Sequence, residues 1–164
     1  MISSERLRLR PLVEDDAEFI LELLNDPSFI ANIGDKEVRT LGDARDYIET
    51  GRVNSEKRGF GLLAVEPLEG GEVIGLCGLV RRDVLDGPDL GYAFLPRSWG
   101  RGFASEAALA ILGSCGFDRI LAVTDPANVA SIGLLEKLGF ESRGQVNLGT
   151  DRDASNLYEW TRPV

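Results

Sequence analysis

The chain has 164 residues, and its 18 Lys and Arg against 27 Asp and Glu give a net charge of −9 at pH 7. This acidic balance argues against a nucleic-acid partner, which needs a basic face, and the length predicts a single domain over residues 1–164. Histidine is absent, which excludes Ser-His-Asp and Cys-His nucleophilic chemistry and His-ligated metal sites.

The apolar stretches are far shorter than the ~20 residues that span a bilayer. The amino-terminal sequence MISSERLRLRP also lacks the apolar region of a secretory signal. These features predict a cytoplasmic protein with no membrane partner. The two cysteines, Cys77 and Cys115, have small or apolar neighbours and are predicted to be buried without forming a disulfide.

The first part of the chain predicts one strand and two helices. Polar and apolar residues alternate over Arg6–Leu12, as in a strand with one wet face. Acidic residues then open a helix over Glu14–Leu24, where they suit the positive end of the helix dipole, and Asn25-Asp26-Pro27 ends it. A second helix is predicted at Leu41–Glu56, whereas Ser28–Thr40 shows no clear pattern.

The rest of the chain predicts a mixed α and β structure around one sheet. A Gly/Pro-rich turn joins Phe60–Val65 to Glu72–Val80 in a hairpin, and the second strand is apolar on both faces, as a central strand is. The later elements, in chain order, are a strand at Asp89–Leu95, a mostly buried helix at Arg101–Gly116, a short strand at Arg119–Val123, a helix at Asn128–Leu138 ending at Gly139, and strands at Phe140–Leu148 and Leu157–Thr161.

The segment Leu95–Glu106 joins a strand to a helix and predicts an anion site. Gly100 and Gly102 permit positive φ, so main-chain N–H groups at the helix start can converge on one phosphate or pyrophosphate. Arg97 and Arg101 can add charge. The alternative is a glycine turn with only a structural role, since the spacing is neither a Walker motif nor G-x-G-x-x-G.

A second element runs from Thr124 through Phe140. Asn128 is a good helix N-cap. The structural interpretation of Ser131, three residues later, is an exposed side chain or one hydrogen-bonded to a local carbonyl.

Together the two elements resemble the GNAT superfamily of acetyl-CoA-dependent N-acetyltransferases, and within it the RimJ/RimL-like branch. The R/Q-x-x-G-x-G/A signature reads Arg97-Ser98-Trp99-Gly100-Arg101-Gly102. The N-x-x-S…L-E-K-L-G-F signature extends from Asn128 to Phe140, and Gly91-Tyr92 and Leu157–Trp160 are also similar to that branch. The resemblance implies an α/β (α+β) fold with one mixed, largely antiparallel sheet of about six to seven strands. The sheet would be splayed at the middle and flanked by helices on both faces.

The resemblance also implies acetyl-CoA as co-substrate and no metal. In this family the CoA pyrophosphate sits on the amides of Gly100–Ala104, and the pantetheine arm pairs with the strand ending at Phe94-Leu95. The implied cofactor-binding residues are Phe94, Leu95, Arg97, Gly100, Arg101, Gly102, Phe103, Ala104 and Asn128. The amine enters from the other side of the splay and attacks the thioester directly, while an N–H near Phe94 stabilises the oxyanion.

Proton transfer is the least defined part of the site. The Tyr that many relatives carry seven residues after the Asn is Leu135 here, and the candidate of the RimJ/RimL branch is Ser131. Ser131 is therefore the predicted catalytic residue, as an acid or as a group that orients the sulfur. A thiolate with a pKa near ~8.5 needs little help to leave.

No general base is assigned by motif, because the position five residues before Asn128 is Val123. The carboxylates considered are Glu49, Asp89, Asp151 and Glu159. The acceptor nitrogen must be neutral to attack the thioester. Without a base, an α-amine with a pKa of about 7.8 is therefore an easier acceptor than an alkylamine with a pKa of about 10.4, because more of it is neutral. The acceptor is predicted to be a protein N-terminal α-amine or a small amine.

Two other functions remain open at this point. The absent Tyr and Glu are compatible with a non-catalytic acyl-CoA-binding or regulatory module on the same fold, and the glycine loop alone is compatible with a phosphate-binding structural domain. An exposed strand edge near the C-terminus also makes a homodimer a reasonable hypothesis.

Overall fold

The computed structural model describes residues 1–149 and 154–164, and one eight-stranded sheet runs through them in the order β1-β2-β3-β4-β5-β6-β8-β7. All neighbouring strands are antiparallel except β5 and β6, which are parallel. The strands are β1 (Ile2–Ser3), β2 (Leu7–Arg10), β3 (Leu62–Pro67), β4 (Gly75–Arg81), β5 (Pro88–Phe94), β6 (Arg119–Thr124), β7 (Glu141–Val146) and β8 (Ser155–Thr161).

The mixed, largely antiparallel sheet with helices on both faces is thus confirmed, with one correction to the strand number. The sequence predicts about six to seven strands, and the structure has eight. The additional strand is β1, which has two residues and is too short to produce a recognisable alternation.

In the described part of the chain, five α-helices flank the sheet: α1 (Ala17–Leu24), α2 (Pro27–Asn32), α3 (Leu41–Arg58), α4 (Phe103–Ser114) and α5 (Val129–Lys137). The helix α2 lies where the sequence shows no clear pattern. Pro27, which ends α1, is also the first residue of α2, where a missing N–H costs nothing, and the Asp26 side chain caps that helix by accepting from Ser28 N.

Two hydrophobic clusters lie on opposite faces of the sheet. One packs under α4 and α5 and includes Cys77 and Ile111, and the other packs under α1 and α3 and includes Ile20 and Leu76. The neighbours Leu76 and Cys77 belong to different clusters, which confirms that β4 is buried on both faces. Both cysteines are free, but Cys115 is half-buried at the end of α4 rather than buried as predicted.

The end of α5 follows the sequence prediction closely. Gly139 has a φ of 94°, its N–H bonds to the carbonyl of Glu136, and the N–H of Phe140 bonds to that of Leu135. This pair of bonds is the Schellman arrangement, which favours glycine at the left-handed position. Leu135 and Phe140 are buried in the same cluster, so the turn fixes how β7 leaves the helix.

The parallel pair β5 and β6 is where the sheet opens. Among the described residues these strands are in register only at Asp89 and Leu121, whereas β4 and β5 are paired at seven positions from Gly75–Phe94 to Arg81–Pro88. The N–H of Leu95 bonds to Ile74 on the β4 side. Because backbone groups alternate along a strand, the N–H groups of Tyr92 and Phe94 point into the gap between β5 and β6.

Within residues 1–149 and 154–164, no helix is both long enough and apolar enough to span a membrane.

A buried ion pair beside α1 makes stability depend on pH. Arg10 donates two hydrogen bonds of 2.9 Å to the carboxylate of Asp16. Burial raises the pKa of Asp16, but the hydrogen bonds from Arg10 and from the Val13 N–H outweigh it and hold the pKa below its usual value. A lowered carboxyl pKa contributes stability that is present at neutral pH and is lost as pH falls through the folded-state pKa.

Asp16→Asn is therefore expected to lower the free energy of unfolding at pH 7 and to flatten its decline below about pH 4. Urea unfolding between pH 7 and pH 2 measures both effects. The control is Asp15→Asn, which removes a neighbouring exposed carboxylate. In this variant the free energy of unfolding should decline at acidic pH as it does in wild type. An Asp16→Asn curve parallel to that of wild type would contradict this assignment.

Candidate active site

A glycine loop between β5 and α4 forms one side of the candidate site. Gly100 and Gly102 have φ values of 75° and 76°, the left-handed region that other residues enter only at a cost. Gly102 is the N-cap of α4 and provides no side-chain cap. The helix therefore begins at Phe103 rather than at Arg101 as predicted, and the amides of its first turn stay available to a ligand.

Two hydrogen bonds hold this loop in place. Trp99 Nε1 donates to the Phe94 carbonyl at 2.8 Å, and a guanidinium nitrogen of Arg6 donates to the Arg101 carbonyl at 2.9 Å. Arg6 Nε also lies 2.7 Å from a carboxylate oxygen of Glu106 on α4. Sequence reasoning missed Arg6, because its partners lie about a hundred positions away and no local pattern joins them.

The structure separates the two arginines of the predicted phosphate site. Arg97 turns towards α1, where its guanidinium lies 2.7 Å from Glu22, and this ion pair raises the pKa of Arg97. Arg101 stays beside the loop, with its guanidinium 5.3 Å from the centre of the Phe103 ring. Arg97 is thus already paired with a carboxylate on the other face of the sheet.

The other predicted cofactor residues line the strand end and the first turn of α4. Phe94 is buried with its ring over Gly75, where an added Cβ would lie 2.4 Å from the ring. Leu95 is buried and hydrogen-bonded to Ile74. Phe103 and Ala104 are half-buried at the start of α4, directly after the left-handed glycine.

The second predicted element places a hydroxyl pair on the α4 and α5 face. Asn128 Oδ1 accepts from Ser131 N at 3.2 Å, which confirms Asn128 as the N-cap of α5. Ser131 Oγ is hydrogen-bonded to the Tyr92 hydroxyl of β5, not to a local carbonyl. Burial raises the pKa of Tyr92 to about 12, although the hydrogen bond with Ser131 opposes this shift.

The candidate bases differ sharply in their surroundings. Glu49 and Glu159 form ion pairs with Arg52 and Arg119 at 2.7 and 2.6 Å, and Asp151 lies outside the described residues. Asp89 is fully buried at the point where β5 and β6 meet, and Arg82 Nε lies 3.0 Å from its Oδ2. Burial raises the pKa of Asp89 despite the neighbouring arginine.

Two buried oxygens on β5 and β6 have no hydrogen-bond partner. Among the described residues, the buried side-chain atoms in this state are Asp89 Oδ1 on β5 and Thr124 Oγ1 at the end of β6. Leaving a buried polar group unpaired costs free energy. Thr124 lies at the open end of the gap, where a polar ligand can be its partner, whereas Asp89 lies at the closed end, where β5 and β6 meet.

A cleft lies on the α3 side of the sheet. Its volume is about 990 Å³, and it runs along α3 past Tyr47 and Ser55 to the start of β3. Leu62 at its floor lies against β5, since a Cβ on Gly91 would lie 3.3 Å from Leu62 Cδ2. The floor of the cleft is therefore in contact with the strand that borders the gap.

In the part of the chain that the structure describes, no group of three or more Cys, Asp or Glu side chains is arranged to hold a metal ion.

Comparison with known proteins agrees with this arrangement. Residues 6–141 match the family described as acetyltransferase (GNAT) domain. The uncharacterized N-acetyltransferase p20 of Bacillus licheniformis is 32% identical over 146 residues, which cover 86% of this chain and 82% of that protein.

Two solved structures share the fold at low identity. The microcin C7 self-immunity acetyltransferase MccE, solved with acetyl-CoA and AMP, has a TM-score of 0.83 at 17% identity, over 96% of this chain and 93% of that one. RimL, the ribosomal L7/L12 α-N-protein acetyltransferase solved with CoA, has a TM-score of 0.80 at 18% identity, over 97% of this chain and 96% of that one. With a family match over most of its length, the chain belongs to the GNAT family of acetyltransferases.

Proposed function

We propose that the protein transfers an acetyl group from acetyl-CoA directly to a primary amine, without an acyl-enzyme. The observation that carries this proposal is the gap between β5 and β6, with the glycine loop directly after β5 and the floor of the α3 cleft against the same strand. Such a gap lets a thioester and an amine meet in line through the sheet. Holding the two reactants in this alignment accounts for much of the rate enhancement in such a transfer.

Most of the predicted cofactor residues have a role in this proposal. The main-chain N–H groups of Gly100–Ala104 receive the pyrophosphate, and Arg101 adds charge at the loop. The N–H groups of Tyr92 and Phe94 point into the gap, where they can bond an extended thioester arm and the oxyanion. Asn128 shapes the start of α5 beside that arm. Arg97 is the weakest member of the predicted set, because Glu22 already offsets its charge.

The acceptor in this proposal is a protein N-terminal α-amine or a small amine, and the cleft favours an extended acceptor. Its α3 lining runs from Asp43 to Arg58, which is about 22 Å at ~1.5 Å per residue. That length matches an extended peptide of about six to seven residues at ~3.3 Å each. A compact amine would leave most of the cleft empty.

Among the candidate carboxylates, Asp89 is the one that the proposal assigns as acceptor of the amine proton. It lies on the same side of β5 as Gly91, towards the cleft, and its Oδ1 has no partner among the described residues. A raised pKa also makes a carboxylate a better proton acceptor near neutral pH. The route to it runs through water, because the side chain itself is fully buried.

A thiol-release assay with acetyl-CoA tests this function. We expect turnover with six-residue peptides that carry a free α-amine. We expect much slower turnover with the same peptides blocked at the α-amine and carrying a lysine, because the lysine amine is neutral about one time in a thousand at pH 7.4. A polyamine and an aminoglycoside complete the panel. Binding of acetyl-CoA without turnover on any amine would instead support a non-catalytic acyl-CoA-binding module.

The single-domain prediction for residues 1–164, the cytoplasmic location and the homodimer stay predictions. The exposed strand β7 forms one edge of the sheet, but its register shift between Ser142 and Gln145 makes it a poor template for pairing with another strand.

A further inference from the structure

We propose that Tyr92 is a positioning residue that acts through Ser131 on the departing CoA sulfur, and so supplies from β5 the phenol that α5 lacks. The inference deepens the proposed acetyl transfer and rests on it. Its basis is the hydrogen bond between the Tyr92 hydroxyl and Ser131 Oγ, which joins a strand beside the gap to the helix that borders it.

Tyr92 lies beside the gap, so its hydroxyl is close to the space proposed for the thioester arm. The tyrosine lies on β5 between Gly91 and Phe94, in the stretch that has left β6, and its side chain packs against the cluster under α4 and α5. The same residue points its main-chain N–H into the gap. One residue therefore presents both its backbone and its hydroxyl to the space assigned to the thioester arm.

The helix side of the contact is fixed as well. Asn128 Oδ1 binds the Ser131 amide, so the first turn of α5 holds the serine in a defined orientation. Leu135, which occupies the position where many relatives have a tyrosine, is fully buried in the core and offers no hydroxyl. Within the described residues, the phenol next to Ser131 comes from the strand instead of the helix.

Either hydroxyl can be the donor of this hydrogen bond. The proposal assigns Tyr92 as donor and Ser131 Oγ as acceptor, because a phenol is a far stronger acid than an aliphatic alcohol. Serine has a single hydroxyl hydrogen, and with its oxygen occupied as an acceptor that hydrogen is free to point at a second acceptor. A donor that already accepts a hydrogen bond is polarised and donates more strongly.

The resulting step balances in atoms and charge. The amine nitrogen forms the C–N bond, the C–S bond breaks, and its electron pair leaves on sulfur. The Ser131 hydroxyl proton passes to that sulfur, and the Tyr92 proton passes to Ser131. The proton lost by the new amide nitrogen passes through water to Asp89 and from there to solvent, and the phenolate regains a proton from solvent. Burial keeps the pKa of Tyr92 near 12, so the phenol is protonated at neutral pH before each turnover.

The test uses Tyr92→Phe, Ser131→Ala and the double variant in the full-length chain, with Tyr158→Phe as the matched control. Tyr158 is buried in the same cluster on β8, and its replacement also removes one phenol oxygen. We expect each single variant to lower kcat about tenfold, below the usual range for an acid because a thiolate leaves readily. KM for acetyl-CoA should change less than twofold, and the double variant should be no slower than either single one.

A binding measurement keeps this inference separate from the proposed function. Calorimetry with CoA and with desulfo-CoA reports contact with the sulfur without any turnover. Wild type and Tyr158→Phe should prefer CoA, and this preference should disappear in Tyr92→Phe and in Ser131→Ala. A Tyr92→Phe protein that keeps both kcat and the preference for CoA would overturn the inference, as would effects of the two substitutions that multiply. Failure of wild type to turn over any amine would overturn the proposed function alone.

Discussion

Replacing Gly100 and Gly102 together by valine is expected to abolish acetyl-CoA binding, with a loss of affinity of at least about 100-fold. Both glycines have φ values near 75°, a conformation that costs other residues on the order of 1–3 kcal/mol each, and β-branched valine is among the least tolerant. The loop is expected to relax to negative φ, so its amides no longer converge on a diphosphate. Calorimetric titration with acetyl-CoA measures the loss.

The matched control places the same strain elsewhere. Gly70 and Gly71 in the turn between β3 and β4 have φ values of 89° and 124°, and an added Cβ would meet nothing within 4 Å at either. The Gly70→Val, Gly71→Val protein should show a comparable drop in melting temperature with an unchanged Kd. Wild-type affinity in the loop variant, measured on protein shown to be folded, would defeat the assignment of the pyrophosphate site.

Gly78→Ala is expected to cause the largest loss of stability of any single methyl addition considered for this chain, about 3 kcal/mol. A Cβ at this position would lie 2.2 Å from the Gly61 carbonyl oxygen and 2.9 Å from Leu62 Cα. Both atoms are backbone, so no side-chain rotation relieves the clash, and β3 must move away from β4. Urea unfolding measures the change in the free energy of unfolding.

Gly133→Ala is the control for this prediction. Gly133 is exposed on α5, and an added Cβ would meet nothing within 4 Å. Alanine is the better helix former by about 1 kcal/mol, so this variant should be more stable than wild type. A Gly78→Ala protein within about 0.5 kcal/mol of wild type, the usual range for harmless surface changes, would mean that the β3–β4 contact is looser than the structure indicates.

The sequence predicts well those features that local rules determine. The hairpin of β3 and β4, the helix α3 and the turn at Gly139 each depend on neighbours within a few positions along the chain, so periodicity and capping residues reveal them. The helix α2 was not predicted, because six residues are too few for a periodic pattern. In the sequence alone, Pro27 at its start indicates only the end of α1.

The candidate site is only half predictable for the same reason. Gly100 and Gly102 can be identified from the sequence because the positive φ that the loop needs favours glycine at these two positions themselves. The Tyr92–Ser131 pair spans 39 positions and the Arg97–Glu22 pair spans 75. Such contacts arise from the order of the strands, and a single sequence without its fold gives no signal for them.

The single rung between β5 and β6 has a consequence for how the enzyme holds its shape. With almost no main-chain ladder across the seam, the two parts of the sheet are joined mainly by interlocking apolar side chains, with Leu90 on one part and Ile120 and Trp160 on the other. Packing of this kind has preferred distances but no fixed hydrogen-bond spacing. The spacing between β5 and β6 therefore depends on the side chains packed across it, and substitutions in the core far from the glycine loop are expected to change the width of the gap.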